Sequence, residues 1–358
     1  MKLLQFSDLH LSENNDPEYG LQVLKEIISK AITLNCEALL LCGDIFDTYN
    51  DLESLRTKVI DLLKSFSGAV FFLPGNHESL RRQNAEKGFR MFDWGNQIQF
   101  LEEEPFSHRV INDEVELIAI AHRESYANLL GKLPPKKKSK VRICLLHATV
   151  IGMSFSGIRE EIEEGGGLID VSQLQALDCD FVSVGHIHSA RSQVFGAMEI
   201  AYAGSARVWR KGEVGIRGGL LLEVKDSKVT KSFVHFESAG QYIELNVQPG
   251  LDGIPNRESL EILSKLSKFD WVRINWFGVV DTMEVLMQFQ RELEMEWKPK
   301  LRILEFDNSA LKVVANISEN TYIKKFIQLM ESKKEHMKID EWTLTKRLGL
   351  ELLLEEKK

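Results

Sequence analysis

The sequence predicts an α/β protein: a layered sheet sandwich flanked by helices, then a smaller α/β unit, then C-terminal helices. Three observations lead there. Short apolar runs at residues 3–6, 38–42, 70–73, 141–146 and 181–184 are hydrophobic almost throughout, as strands buried on both faces are. Apolar residues repeat at helical spacing between them. From near residue 236 a second strand–helix alternation begins, with a different character.

Between the first two runs, Leu21, Leu24, Ile27, Ile28, Ala31 and Ile32 predict a helix over residues 19–34, and residues 52–66 repeat the pattern before the third run. Pro134-Pro135 followed by Lys136-Lys137-Lys138-Ser139-Lys140 predicts a solvated loop, with a DNA-facing loop as the alternative. Gly165-Gly166-Gly167 comes after no strand and is expected to be a flexible loop. Asp170 opens a capping-box start to the helix that begins at Val171. Strands at 242–247, 271–277 and 301–306 alternate with helices at 257–268 and 282–294. Two amphipathic helices close the chain at 321–335 and 341–356, the second clustering Leu348, Leu350, Leu352, Leu353 and Leu354. Such a helix either docks on its own domain or receives a partner.

The chain has 358 residues, 44% hydrophobic and 27% charged, which excludes a disordered protein. The net charge of −8 excludes a basic coat, so any nucleic acid must be held by a local patch or through a partner. Cys36, Cys42, Cys144 and Cys179 form no C-x-x-C pair and are expected as buried free thiols. No apolar run approaches membrane-spanning length, and the first strand turns polar at Ser7-Asp8, so no membrane association and a cytoplasmic protein are expected.

Five polar motifs carry the chemistry: Asp8-Leu9-His10, Gly43-Asp44-Ile45-Phe46-Asp47, Gly75-Asn76-His77-Glu78, His147, and Gly185-His186-Ile187-His188. Each sits just past the C-terminal end of one apolar run, and in open α/β sheets those ends converge on one crevice. Any one of them alone has a plainer reading; His147, after Cys144-Leu145-Leu146, would usually be a satisfied buried histidine. Together they offer hard oxygen and imidazole nitrogen, a donor mix suited to two first-row divalent ions such as Mn2+, Fe2+ or Zn2+ and too nitrogen-rich for magnesium or calcium alone.

The ordered set D-x-H, G-D-x-x-D, G-N-H-E, H and G-H-x-H resembles the calcineurin-like metallophosphoesterase superfamily over residues 1 to about 235. That resemblance implies one metal ion on Asp8, His10, Asp44 and His188, and a second on Asp44, Asn76, His147 and His186, bridged by Asp44. It implies a catalytic His77 that contacts the phosphate and helps the leaving oxygen depart. Asp47 would orient and charge that imidazole, and an aspartate there leans bacterial. Within the superfamily the chain looks most like the SbcD-type DNA-repair nuclease. The resemblance rests on Phe6-Ser7-Asp8-Leu9-His10-Leu11, Gly43-Asp44-Ile45-Phe46-Asp47-Thr48, Tyr202-Ala203-Gly204-Ser205-Ala206, and the extra stretch after the catalytic domain. It implies a nuclease domain over 1–235, an α/β capping domain over 236–317 and an ATPase-binding segment over 318–358. It further implies manganese, exonuclease or endonuclease action on DNA, a homodimer, and an SbcC-type, SMC-like ATPase subunit as partner.

Two departures stand against it. Glu78 occupies a position where the repair nucleases more often have aspartate; it is expected outside the ligand set, where the exchange matters little. The cations available to DNA are few: Arg81, Arg82, Arg123, Arg207 and Arg210, with Arg159, Lys211 and Arg217, each of which also reads as an ordinary surface residue. The alternatives are a metallophosphatase, a small-molecule phosphodiesterase acting on cyclic nucleotides, or a scaffold that kept its ligands.

Overall fold

The computed structural model describes residues 1–79, 94–103, 105–123, 126, 136, 140–153, 167–314 and 320–355. The chain divides into two compact units, Met1–Gln241 and Tyr242–Lys358.

In the first unit the apolar runs become strands. β1 (Lys2–Phe6), β2 (Ala38–Cys42), β3 (Ala69–Leu73) and β4 (Ile98–Phe100) lie parallel in that order, and Gly218–Lys225 and Lys228–His235 add antiparallel strands beside β1. A second sheet holds β5 (Ser107–Val110), β6 (Val115–Ile120) and β7 (Val141–His147). A separate pair, β8 (Thr149–Ile151) with β9 (Leu168–Asp170), comes next in the chain. The second sheet then continues through β10 (Phe181–Gly185), β11 (Arg191–Phe195) and β12 (Met198–Tyr202), in the order β11-β12-β10-β7-β6-β5.

The period of two explains why these strands carry no polar face. Leu3, Ala38, Leu40, Cys42, Phe71 and Leu73 pack against Leu117, Ile143, Leu145 and Phe181 of the second sheet, forming the shared core of a sandwich. Their neighbours Leu4, Phe6, Leu39, Leu41, Val70 and Phe72 face the other way. There they meet α1 (Pro17–Thr33) and α2 (Tyr49–Leu63), the latter capped by Thr48. On the outer face of the second sheet Cys144, Leu146, Val182 and Val184 pack with Ile169, Val171 and Leu174. The helix Val171–Gln175 has the capping box expected at Asp170, with Gln173 closing it. All four cysteines are free and buried.

In the second unit Gln241–Val247, Trp271–Val280 and Ile303–Val313 pair in parallel, with the helix Glu284–Trp297 beside them. The helix expected over 257–268 is instead a 3-10 run, Arg257–Lys265. Within it Ser259 and Ser264 donate their hydroxyls to the carbonyls three residues back, at 2.5 and 2.7 Å. Helices Thr321–Lys333 and Ile339–Glu355 pack Ile323 and Leu350 against Leu251, Val279 and Val314. The leucine cluster splits: Leu350, Leu353 and Leu354 face this core, while Leu348 and Leu352 are exposed. No described helix is long and apolar enough to cross a membrane.

Candidate metal centre

The loops after β1 and β2 run on together beyond their strands. Asp8 N–H donates to the Gly43 carbonyl at 3.0 Å, His10 N–H to Asp44 at 3.0 Å, and Leu11 N–H to Ile45 at 2.8 Å. Strands β7 and β10 end level with each other, Gly185 opposite His147. The five motifs therefore meet at one end of the sandwich. Strain gathers there: Asp8, His10, Asp44 and His186 have φ of 52°, 45°, 51° and 94°, a region that non-glycine residues seldom occupy. These turns point the side chains inward, and the hydrogen bonds around them hold the turns.

All seven predicted ligands are buried. They form two half-sites. In one, His10 Nε2 and His188 Nε2 face each other at 3.2 Å, and Asp8 Oδ1 lies 3.8 Å from His188 Nε2. In the other, His147 Nε2 lies 3.1 Å from Asp44 Oδ2 and 2.9 Å from Asn76 Oδ1, with His186 completing the cluster. Asp44 also approaches His10 and His77, so it stands between the halves. Asp44 Oδ2 and both ring nitrogens of His186 are buried without a hydrogen-bond partner. Orphaned donors and acceptors of this kind, aimed at one another in a buried cluster, fit divalent cations.

The groups behind the rings set their orientations. His147 Nδ1 donates to the Cys42 carbonyl at 2.8 Å, leaving Nε2 toward the site. His77 sits at the rim on the four-residue helix Asn76–Ser79; its amide donates to Asp44 Oδ1 at 3.0 Å. Its Nδ1 donates to the backbone carbonyl of Asp47 at 2.5 Å, while the Asp47 carboxylate lies 3.8 Å from it and 3.5 Å from His10 Nδ1. The hydrogen bond from this ring to Asp47 is thus accepted by the carbonyl oxygen, with the carboxylate close beside it.

Burial pushes His10 well below the ordinary histidine range, and His188 beside it adds to this. Burial and His147 lower His186 to about 3. Burial raises Asp8 to about 6 against the pull of His188 and His147. Burial also opposes charge on His147, but Asp44, Asp8 and the Cys42 carbonyl outweigh it and hold the ring at about 10. For His77, burial is outweighed by Asp44 and by the carbonyl and carboxylate of Asp47, so its pKa is raised. At pH 7 His147 therefore holds a proton that a cation must displace. Cation binding is expected to release about one proton at pH 7, and apparent affinity to rise with pH until His147 has titrated. Titration calorimetry in buffers of different ionisation heat measures this; a buffer-independent heat would contradict it.

Residues 1–190 match the family model for calcineurin-like phosphoesterases. The chain belongs to that family. Its members are metal-dependent phosphoester hydrolases, and the two half-sites supply the ligands such chemistry needs. A probable cyclic nucleotide phosphodiesterase of Coxiella burnetii is 33% identical over 87 residues, 24% of this chain and 34% of that relative, so the match spans about a third of the relative's length. Among solved structures, a dimetal phosphatase from Danio rerio is similar with a TM-score of 0.41 and 10% identity, covering 66% of this chain and 99% of the other. A purple acid phosphatase from yellow lupin (Lupinus luteus) seeds gives 0.46 and 15%, covering 68% and 52%.

Several polar residues of this phosphoesterase differ from their sequence reading. Arg207 is 1% exposed and donates to the carbonyls of Leu9 (2.6 Å) and His10, so it braces the loop that carries two ligands and leaves the surface strip. Arg217 is equally internal, donating to the His188 carbonyl at 2.7 Å and to Ser205 Oγ at 3.0 Å. Arg210 remains partly exposed with its guanidinium over the Trp209 ring, and Arg123 is half-buried with Nε 3.4 Å from the Ala121 carbonyl. Arg81, Arg82, Arg159 and Gly165-Gly166 lie outside the described residues, as do Lys137 and Lys138; Lys136 pairs with Asp180 at 2.7 Å.

Glu78 matters more than its place beside the ligands suggested. Its carboxylate accepts the amides of Asp44 (3.0 Å), Ile45 (2.6 Å), Phe46 (2.9 Å) and Gly75 (2.7 Å), tying the second motif to the third. Burial and Asp44 push its carboxyl to about 7 against those donors. Trp209 and Glu213 also touch ligands; no motif spacing pointed to either.

Proposed function

We propose that this phosphoesterase is a two-metal phosphodiesterase acting on DNA, an SbcD-like exonuclease or endonuclease of DNA end processing and repair. The observation that carries diester hydrolysis is the pair of buried half-sites on either side of Asp44 with His77 at their rim. The DNA substrate is supported by the subfamily resemblance of the first motifs and by the further unit, Tyr242–Lys358, beyond the residues that match the family.

Asp8, His10 and His188 would hold one ion and Asn76, His147 and His186 the other, with Asp44 shared. Bound, the ions (manganese in this reading, iron or zinc as alternatives) would activate water and neutralise phosphoryl charge. The protein's own part is position and proton supply. His77 keeps a proton on Nδ1 through the Asp47 carbonyl, while its Nε2, 3.9 Å from Asp44 Oδ2, is left to give a proton to the departing oxygen. The partly exposed Arg210 would face substrate phosphate. The same reading places the protein in the cytoplasm as a homodimer. It also assigns an SbcC-type ATPase subunit to the terminal helices, where Leu344, Leu348 and Leu352 stand exposed four residues apart.

Two observations favour a cyclic-nucleotide phosphodiesterase instead: the named function of the Coxiella relative, and the loss of Arg207 and Arg217 from the exposed cations. Manganese-dependent cleavage of linear duplex and circular single-stranded DNA separates the two. The parent is expected to cut DNA and His77→Ala to lose roughly a hundredfold or more. Brisk hydrolysis of a cyclic diester with intact DNA would refute the nuclease reading.

A further inference from the structure

The half-site of Asp8, His10 and His188 is backed by one short segment, residues 205–217. Glu213, 6% exposed, accepts the Nδ1 proton of His188 on Oε1. Its Oε2 accepts the amides of Trp209 at 2.8 Å and Arg210 at 3.4 Å. The Trp209 ring stacks on the His10 imidazole, with centroids 4.0 Å apart and planes 12° from parallel. Arg217 binds the carbonyls of both His188 and Glu213. Two of the three ligands are thus oriented by this segment. Glu213 is hydrogen-bonded directly behind a ligand nitrogen, whereas the Asp47 carboxylate stands farther off, 3.5 Å from His10 Nδ1. The other half-site is built differently, since His147 Nδ1 rests on the neutral Cys42 carbonyl.

We propose that Glu213 is a positioning residue that sets the cation affinity of the Asp8–His10–His188 half-site and leaves the Asp44–Asn76–His147–His186 half-site unchanged. This rests on the two-ion reading above. A carboxylate on Nδ1–H fixes the tautomer in which the Nε2 lone pair faces His10 and Asp8, and its negative charge makes that nitrogen a stronger donor. A carbonyl fixes the tautomer of His147 without the charge. The two half-sites are therefore unequal by construction, and Glu213, outside the ligand set, supplies the hydrogen-bonded part of that inequality.

The test is a manganese titration of the full chain by calorimetry, with metal content measured after buffer exchange. The parent is expected to bind two ions. Glu213→Gln should weaken one binding event by about ten- to a hundredfold. That event should be the one His188→Ala removes, while the event removed by His147→Ala keeps its affinity. Adding Glu213→Gln to His188→Ala should change nothing further. Glu213→Asp, which keeps the charge, should restore part of the loss, and it serves the same readout if the glutamine variant does not fold. Equal affinity in parent and Glu213→Gln, or equal weakening of both events, overturns the proposal while the two-ion reading stands. A parent that binds fewer than two ions overturns both.

Discussion

Asp44→Asn is expected to lower phosphodiester hydrolysis by roughly a thousandfold or more, since several kcal/mol of charge stabilisation depend on the ions it holds together and each 1.36 kcal/mol is tenfold. Asparagine keeps the shape and can still accept the His77 amide that now reaches Oδ1 at 3.0 Å. It cannot carry negative charge between the half-sites, where Asp44 Oδ2 is buried and unpartnered by any hydrogen bond. The loss should therefore appear in turnover and in bound metal, with circular dichroism of the metal-free protein unchanged. A second sign accompanies it. Burial works against charge on His147, and Asp44 is foremost among the groups that overcome it. In the variant that pKa falls, so the proton released on cation binding at pH 7 should disappear along with much of the affinity. A variant with near-parental turnover would show that Asp44 is not shared by two ions.

Gly75→Ala is expected to do comparable damage from outside the ligand set. A Cβ at this position would lie 2.1 Å from Asp44 Oδ1 and 2.6 Å from Asp44 N, well inside van der Waals contact. Asp44 has little freedom to retreat, for its φ is already 51° and its amide is held by Glu78. The third motif must move instead, taking Asn76 and His77 with it. Overpacking of this kind costs about 1–3 kcal/mol of stability, and the displaced ligands should cost activity on the scale of Asp44→Asn. Thermal midpoint, metal content and turnover measured on one preparation test this. Parental turnover in Gly75→Ala would mean that the loop relaxes without moving its ligands. Gly43 is constrained in a second way, with φ of 87° and the His147 ring where a Cβ would stand.

Much of this centre is legible in the sequence because it lies where backbone geometry leaves little choice. Strands buried on both faces read as unbroken apolar runs, and parallel strands deliver the loops at their C-terminal ends to one end of the sheet. That is why Asp8, Asp44, Asn76, His147 and His186 could be placed together from order alone. The arginines show where such reading stops. Arg207 and Arg210 are three residues apart and chemically alike, yet one is enclosed beneath the first motif and the other lies against an indole near solvent. Spacing along the chain does not encode that difference; it is decided when the segment after β12 folds back over His10. Trp209 and Glu213 are hidden for the same reason, since each meets a ligand only through tertiary packing. Asp47 illustrates a subtler point. Its carboxylate helps raise the His77 pKa, as its identity suggested. The ring's hydrogen bond goes to its carbonyl oxygen, which residue identity does not encode. In the second unit, the helical pattern over 257–268 became a 3-10 run at Arg257–Lys265, a distinction that apolar spacing does not encode.

The carboxylate of Glu78 occupies a cup of backbone amides from Gly75 and residues 44–46. In many phosphate-binding loops a cup of this kind is where the substrate's anion settles. Here the protein's own Glu78 carboxyl group fills the cup. These four amides are thereby taken up by Glu78, which leaves recognition of a phosphoester to other groups around the centre. Specificity built that way can be recut by exchanging a few exterior residues while the scaffold beneath remains the same.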